Sequence, residues 1–238
     1  MTDTKDAGAL PGTARAGGLL LRAFEAGTTE EITWVDVTVG DLVITVASDA
    51  MKAPLADRAA VRLPVSYAEA VTICQALECV APTQPICDAV FAQAKAQLDF
   101  VPLVLTAADT AKMDTVEFVL RFDDGVEKEL TAADVDDGDL VFGAWKLWIL
   151  HARIVEKGAV NYGFWDTSKK PPSPVQTVGG QHDDSHYDYS QLLQPVKRMA
   201  RKAGTGEAVD LLDYIAQHDE VPEKYLDPYR ADGSSDVA

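Results

Sequence analysis

From Glu30 to Ser48 the chain reads EEITWVDVTVGDLVITVAS, in which Val35, Val37 and Val39 fall on one side of a period of two and Asp36 and Thr38 on the other. After Gly40-Asp41, Leu42, Ile44 and Val46 resume the alternation, so the pattern predicts two antiparallel strands joined by a tight turn. A helical rhythm follows Arg62-Leu-Pro-Val-Ser66. Ser66 with Glu69 three residues later is the spacing of a capping box, and the helix is predicted to run to about Glu78. Pro82 and Pro85 bracket a turn before a second helix over residues 85 to 98, where Ile86, Val90, Phe91 and Ala94 keep helical spacing.

Residues 116 to 122 and 126 to 131 read as another hairpin around Asp123-Asp124-Gly125, with Val116, Phe118 and Leu120 on one face. The run WKLWILHARIVEKGAVNYGFW, residues 145 to 165, suits a helix or a strand pair. Its β-branched residues favour strands over 146 to 155 and 159 to 165, joined at Lys157-Gly158. Short helices are expected over 191 to 200 and 208 to 217, the latter with an apolar stripe of Val209, Leu212 and Ile215. The expected organisation is a loose arm over residues 1–18, one α+β domain over 19–221 and a peripheral tail over 222–238. The domain is expected to pack an antiparallel sheet against helices, with a papain-like arrangement among the candidates.

Composition narrows the partners more than the fold. A hydrophobic content of 47% over 238 residues is enough for a sizeable core. Acidic residues outnumber basic ones by 38 to 21, a net charge of -17, which repels nucleic-acid backbones and anionic lipid surfaces. The one compact basic cluster is Lys197-Arg-Met-Ala-Arg-Lys202. Between Asp109 and Asp139 eleven acids face three bases, the pattern of a solvated edge. No run approaches the roughly eighteen apolar residues of a membrane span, and the opening residues lack a signal-peptide pattern. Cys74, Cys79 and Cys87 have neither the number nor the spacing of a disulfide or zinc framework, which points to a reducing, cytoplasmic setting.

Candidate chemistry concentrates between His182 and Ser190, which holds two of the four histidines beside Asp183, Asp184, Asp188, Tyr187 and Tyr189. The sharpest reading is a thiol-dependent hydrolase of amide or ester bonds. In it Cys79 attacks, His182 is the base, Asp188 orients the imidazole, and Gln176 or a backbone amide near Cys79 stabilises the oxyanion. Tyr162, Trp165, His186, Tyr187, Tyr189 and Ser190 are the expected substrate contacts. No cofactor or resident metal is called for. The alternatives are a metal-dependent hydrolase, using His182, Asp184 and His186 on one strand face, and a non-enzymatic peptide- or glycan-binding module. A glycosidase with Trp145, Trp148, Tyr162 and Trp165 as platforms offers no preferred carboxylate pair.

Cys79-x2-Pro82-Thr83, Asn161-Tyr162-Gly163-Phe164-Trp165, Gln176 and His182-x4-Tyr187-Asp188-Tyr189-Ser190 follow one another in order. In this the chain resembles a bacterial family of uncharacterised proteins with a C-x-x-P-T turn, a Y-G-W/H strand, a Q-P step and an H-x4-Y-D-Y-S-H ending. The likeness spans roughly residues 40 to 215. The chain has Phe164 in place of Trp or His, Thr177 in place of Pro, Asp183 in place of Gly and Gln191 in place of a second His. The resemblance implies that Cys79, Tyr162, Gln176, His182, Asp188 and Ser190 form one site, and it carries no reaction.

Overall fold

The alternation over residues 34 to 47 forms the hairpin it predicts. In a computed structural model, which describes residues 13–104, 106–179, 183–218 and 221–230, a first helix α1 (Leu19–Glu25) precedes β1 (Trp34–Val39), which pairs antiparallel with β2 (Leu42–Ala47). A small hairpin, β3 (Lys52–Leu55) and β4 (Arg58–Arg62), leads into α2 (Tyr67–Ala76). The α2 capping box is complete: Glu69 N donates to Ser66 Oγ at 3.2 Å, and Ser66 N donates to the Glu69 carboxylate at 3.3 Å.

After α2 come β5 (Cys79–Val80), α3 (Gln84–Gln93), β6 (Ala96–Gln97) and a single-turn α4 (Ala107–Thr110). The expected hairpin over 116 to 131 is instead one helix, α5 (Val116–Ala133). Its buried residues, Val116, Phe118, Val119, Phe122, Asp123 and Val126, follow helical spacing, which the short alternation of Val116, Phe118 and Leu120 obscures. Gly125 is no turn residue. A Cβ there would lie 2.6 Å from Val101 Cγ1, so the glycine serves close packing.

The 145-to-165 region is more broken than the two long strands expected. β7 (Val141–Phe142) and β8 (Lys146–Trp148) are followed by α6 (Ile154–Lys157) and β9 (Asn161–Asp166), which pairs antiparallel with β8 and with β10 (Ser173–Gly179). The expected helix over 191 to 200 is replaced by three short strands, β11 (Gln191–Leu192), β12 (Val196–Lys197) and β13 (Met199–Lys202), because Pro195 interrupts any helix there. β14 (Ala208–Asp210) and α7 (Leu211–His218) divide the last predicted helix, and α8 (Asp227–Arg230) follows.

The described residues form a single α+β domain in which mixed sheets pack against helices. One sheet runs β14-β13-β2-β12-β5 with β1 on the free side of β2, and a second runs β10-β9-β8-β11, its β11–β8 pair parallel. α3 bridges them. Ile86 and Val90 line one small internal cavity together with Val46 and Val196 of the first sheet and Leu147 of the second, while Phe91 stacks on Trp165 with centroids 4.0 Å apart. Within the described parts of the expected arm and tail, Ala16 is fully buried and Arg15 bridges Thr115, and Leu226 and Tyr229 are buried. None of the described helices is long and apolar enough to cross a membrane.

A buried ion cluster ties β4 to α5. The Arg62 guanidinium, 0% exposed, grips Asp49 through Nε (2.9 Å) and Nη2 (2.5 Å), while Nη1 reaches Asp123 at 3.0 Å and Glu127 at 2.6 Å. A kink in β9 is equally specific. Gly163 and Phe164 have φ of +125° and +60°, and Tyr162 and Trp165 on either side make an edge-on ring contact at 6.1 Å. A Cβ on Gly163 would come within 2.7 Å of the Trp145 carbonyl oxygen. Gly163→Ala is therefore expected to destabilise the protein by at least about 1–3 kcal/mol, read as a lower denaturant midpoint with an unchanged slope.

Candidate functional site

The second sheet sets the site by register. Gln176 on β10 lies opposite Gly163 on β9, Gly163 opposite Lys146 on β8, and Lys146 opposite Gln191 on β11. Residues in such a row share a face, so the row presents Gln176, Lys146 and Gln191 together, with glycine between the first two. Asn161 joins them, its Nδ2 donating to Gln191 Oε1 at 3.1 Å.

The segment from Asp183 to Ser190 lies against this row. Asp188 is fully buried, and its carboxylate accepts from Ser190 N at 2.9 Å, from Ser190 Oγ at 2.7 Å and from the Lys146 ammonium. His186 Nε2 is 3.4 Å from the oxygen that Lys146 holds. Burial alone would raise the pKa of Asp188; the Lys146 charge, with the adjacent His186 and hydrogen bonds from Lys146 and Ser190, overrides it and keeps the carboxyl well below the usual range. The turn follows from the sequence, since an Asp side chain readily bonds the backbone two residues on, and here that bond delivers Ser190 to β8, where its carbonyl accepts from Lys146 N at 2.8 Å. Asp184 O accepts from Ala68 N at 3.2 Å in the first turn of α2. Tyr187 packs against Gly17 and bonds Glu69 and Ser66; burial first, and then Glu69, push its phenol up to about 12.

The segment thus joins His186, Asp188 and Ser190 to Lys146, Asn161 and Gln191, and sheet register brings in Gln176, whose Nε2 donates to Thr177 O at 3.0 Å. Tyr189 faces the core instead: its hydroxyl accepts from Leu103 N at 3.1 Å and its ring packs on Phe118 and Phe122. Tyr162 and Trp165 are also core residues, with Tyr162 Oη donating to Asp88 at 2.6 Å on the side of α3. Trp145 and Trp148 are buried, so these four aromatics are no glycan platform. His182 lies outside the described residues.

Cys79 is not at an exposed helix junction. It sits on β5 opposite Lys197, is 0% exposed, and its Sγ donates to the Leu77 carbonyl at 3.3 Å. Burial pushes its thiol up to about 12, away from the lowered value of an activated nucleophile, and Cys74 and Cys87 are buried and raised as well. Among the described residues, no group of three His, Cys, Asp or Glu side chains is placed to hold a metal ion.

Two charged surfaces complete the picture. In the basic run, Arg198 pairs with Asp210 at 2.7 Å, Arg201 with Asp36 at 2.5 Å and Lys202 with Glu207 at 3.0 Å, so these charges are matched within the chain. Glu127, Asp134, Asp136, Asp137 and Asp139 do more than edge the fold, for with Glu30 and Asp49 they line a cleft of about 740 Å³.

Sequence reading missed Lys146 and Gln191 as site residues. A lysine inside the apolar run Trp145–Leu150 was the available signal, because a charge in such a run needs a buried partner. No family model, curated protein or solved structure matches the chain.

Proposed function

We propose that the chain is a hydrolase of amide or ester bonds whose base is His186, oriented by Asp188, with no part for Cys79. The observation that carries this reading is the contact between a half-buried imidazole and a fully buried, ionised carboxylate at 3.4 Å. Such a pair fixes the ring and offsets the positive charge it gains on taking a proton. In the reaction His186 removes a proton from water as its oxygen bonds to the substrate carbonyl carbon. The tetrahedral intermediate then breaks its bond to the leaving nitrogen or oxygen, which takes that proton from His186. The net change is addition of water across the bond, giving an acid and an amine or alcohol. A papain-like arrangement forms no part of the proposal, because Cys79 lies on a strand with its thiol raised.

The test is turnover on a panel of simple amides and esters. His186→Gln is expected to lower it by about 100-fold or more, the usual worth of a positioned base, while Cys79→Ala retains it and all three cysteines label slowly with iodoacetamide at neutral pH. Loss of turnover in Cys79→Ala with retention in His186→Gln would sink the proposal and favour the thiol scheme. A folded protein inactive on every amide and ester would favour the binding-module reading.

A further inference from the structure

Gln191 is a fully buried side chain with an open hydrogen-bonding group. Its Oε1 accepts from Asn161 Nδ2, but its Nε2, also buried, has no acceptor among the described residues. A buried amide donor left without an acceptor is costly, so a site that keeps one is preset for an oxygen. Lys146 is the neighbour of Gln191 in the sheet and shares its face, and a Lys ammonium carries three donors. Gln176 and Asn161 lie alongside: a Cβ built on Gly179 would be 2.5 Å from Gln176 Nε2 and 3.5 Å from Asn161 Oδ1.

The row therefore offers carboxamides and one ammonium whose charge Asp188 already matches. A ligand carboxylate would bring an unmatched negative charge into this buried setting, whereas a neutral carbonyl oxygen takes the open N–H without one. A carboxamide row also has both donors and acceptors, the complement of a secondary amide.

We infer that Gln191, beside Lys146 and Asn161, binds the carbonyl oxygen of a neutral amide, which makes peptide-like amides the substrate class of this site. The inference rests on the hydrolase proposed above for its catalytic consequence but not for binding. As the carbonyl carbon becomes tetrahedral its oxygen gains negative charge, and a donor already in place there strengthens its bond to it.

The experiment follows the Gln191 side-chain amide resonances of the full chain by NMR while N-methylacetamide or, separately, acetate is added. N-methylacetamide is expected to shift them in a saturable manner and acetate is not. Gln191→Leu, followed through the neighbouring Asn161 side-chain amide resonances, is expected to lose the saturable response to N-methylacetamide and, on an amide substrate, to lower kcat by about 100-fold or more, as loss of one oxyanion donor does. His186→Gln is expected to bind N-methylacetamide normally while losing turnover. Binding that persists with no turnover in the wild-type protein would defeat the hydrolase and leave this inference standing. An amide resonance that ignores N-methylacetamide, responds to acetate instead, or proves to be bonded in the free protein to a carbonyl of residues 180 to 182 would overturn it.

Discussion

Asp188→Ala is expected to lower the free energy of unfolding by about 3–5 kcal/mol, measured by chemical denaturation, because it strips the counter-charge from a nearly buried ammonium. Lys146 has 11% of its side chain exposed and cannot turn fully to water without leaving β8. The same change removes the acceptor of both Ser190 bonds, which shape the turn into β11. Asp188→Asn separates these effects, since it retains an oxygen for Ser190 but not the charge, and it is expected to lose less. The pH dependence has a definite sign. A carboxyl held below its unfolded value contributes stability that is fully present above about pH 4 and is lost as pH falls through the folded value. The alanine variant is expected to lack that part of the acid-induced loss.

The second large effect concerns Arg62. Arg62→Ala is expected to destabilise by a similar amount, about 3–5 kcal/mol, by leaving Asp49, Asp123 and Glu127 to face one another without their common cation. Arg62→Lys is expected to recover only part of this, since an ammonium cannot reproduce the two-pronged grip on Asp49 while also reaching Asp123 and Glu127. Acid now acts in reverse at this cluster. In the wild-type protein Asp49 is held low despite its burial, and protonating it weakens the fold. In Arg62→Ala the buried Asp49 and Asp123 lose the charge that lowers them and their folded values rise, so the deficit against the wild-type protein is expected to shrink as pH falls below about 5.

The elements legible from sequence were those fixed by local signals: the β1–β2 alternation, the Ser66–Glu69 cap and the prolines before α3. α5 was hidden because Phe118 and Phe122 satisfy a period of two as well as helical spacing, and because Gly125 looks like a turn when it is a packing residue against Val101. The strands over 191 to 202 depend on partners far away in the chain, which no local propensity encodes. The site divides in the same way. His186, Asp188 and Ser190 are near neighbours in sequence and were visible, whereas Lys146, Asn161 and Gln191 meet only through the register of β8, β9 and β11. Cys79 was misjudged because the prolines beside it suggested an open turn, while its backbone pairs with β12 inside the first sheet.

The placement of β2 governs how the molecule is made. Its one flank is closed at once by β1, through a two-residue turn, but the other is closed by β12 and β13, where Val46 meets Val196 and Val43 meets Arg201. During synthesis the hairpin must wait with one edge of Leu42–Ala47 unpaired until β12 and β13 emerge, and this apolar edge is a template for pairing with other chains. Closing so long a loop makes completion of the sheet a late event.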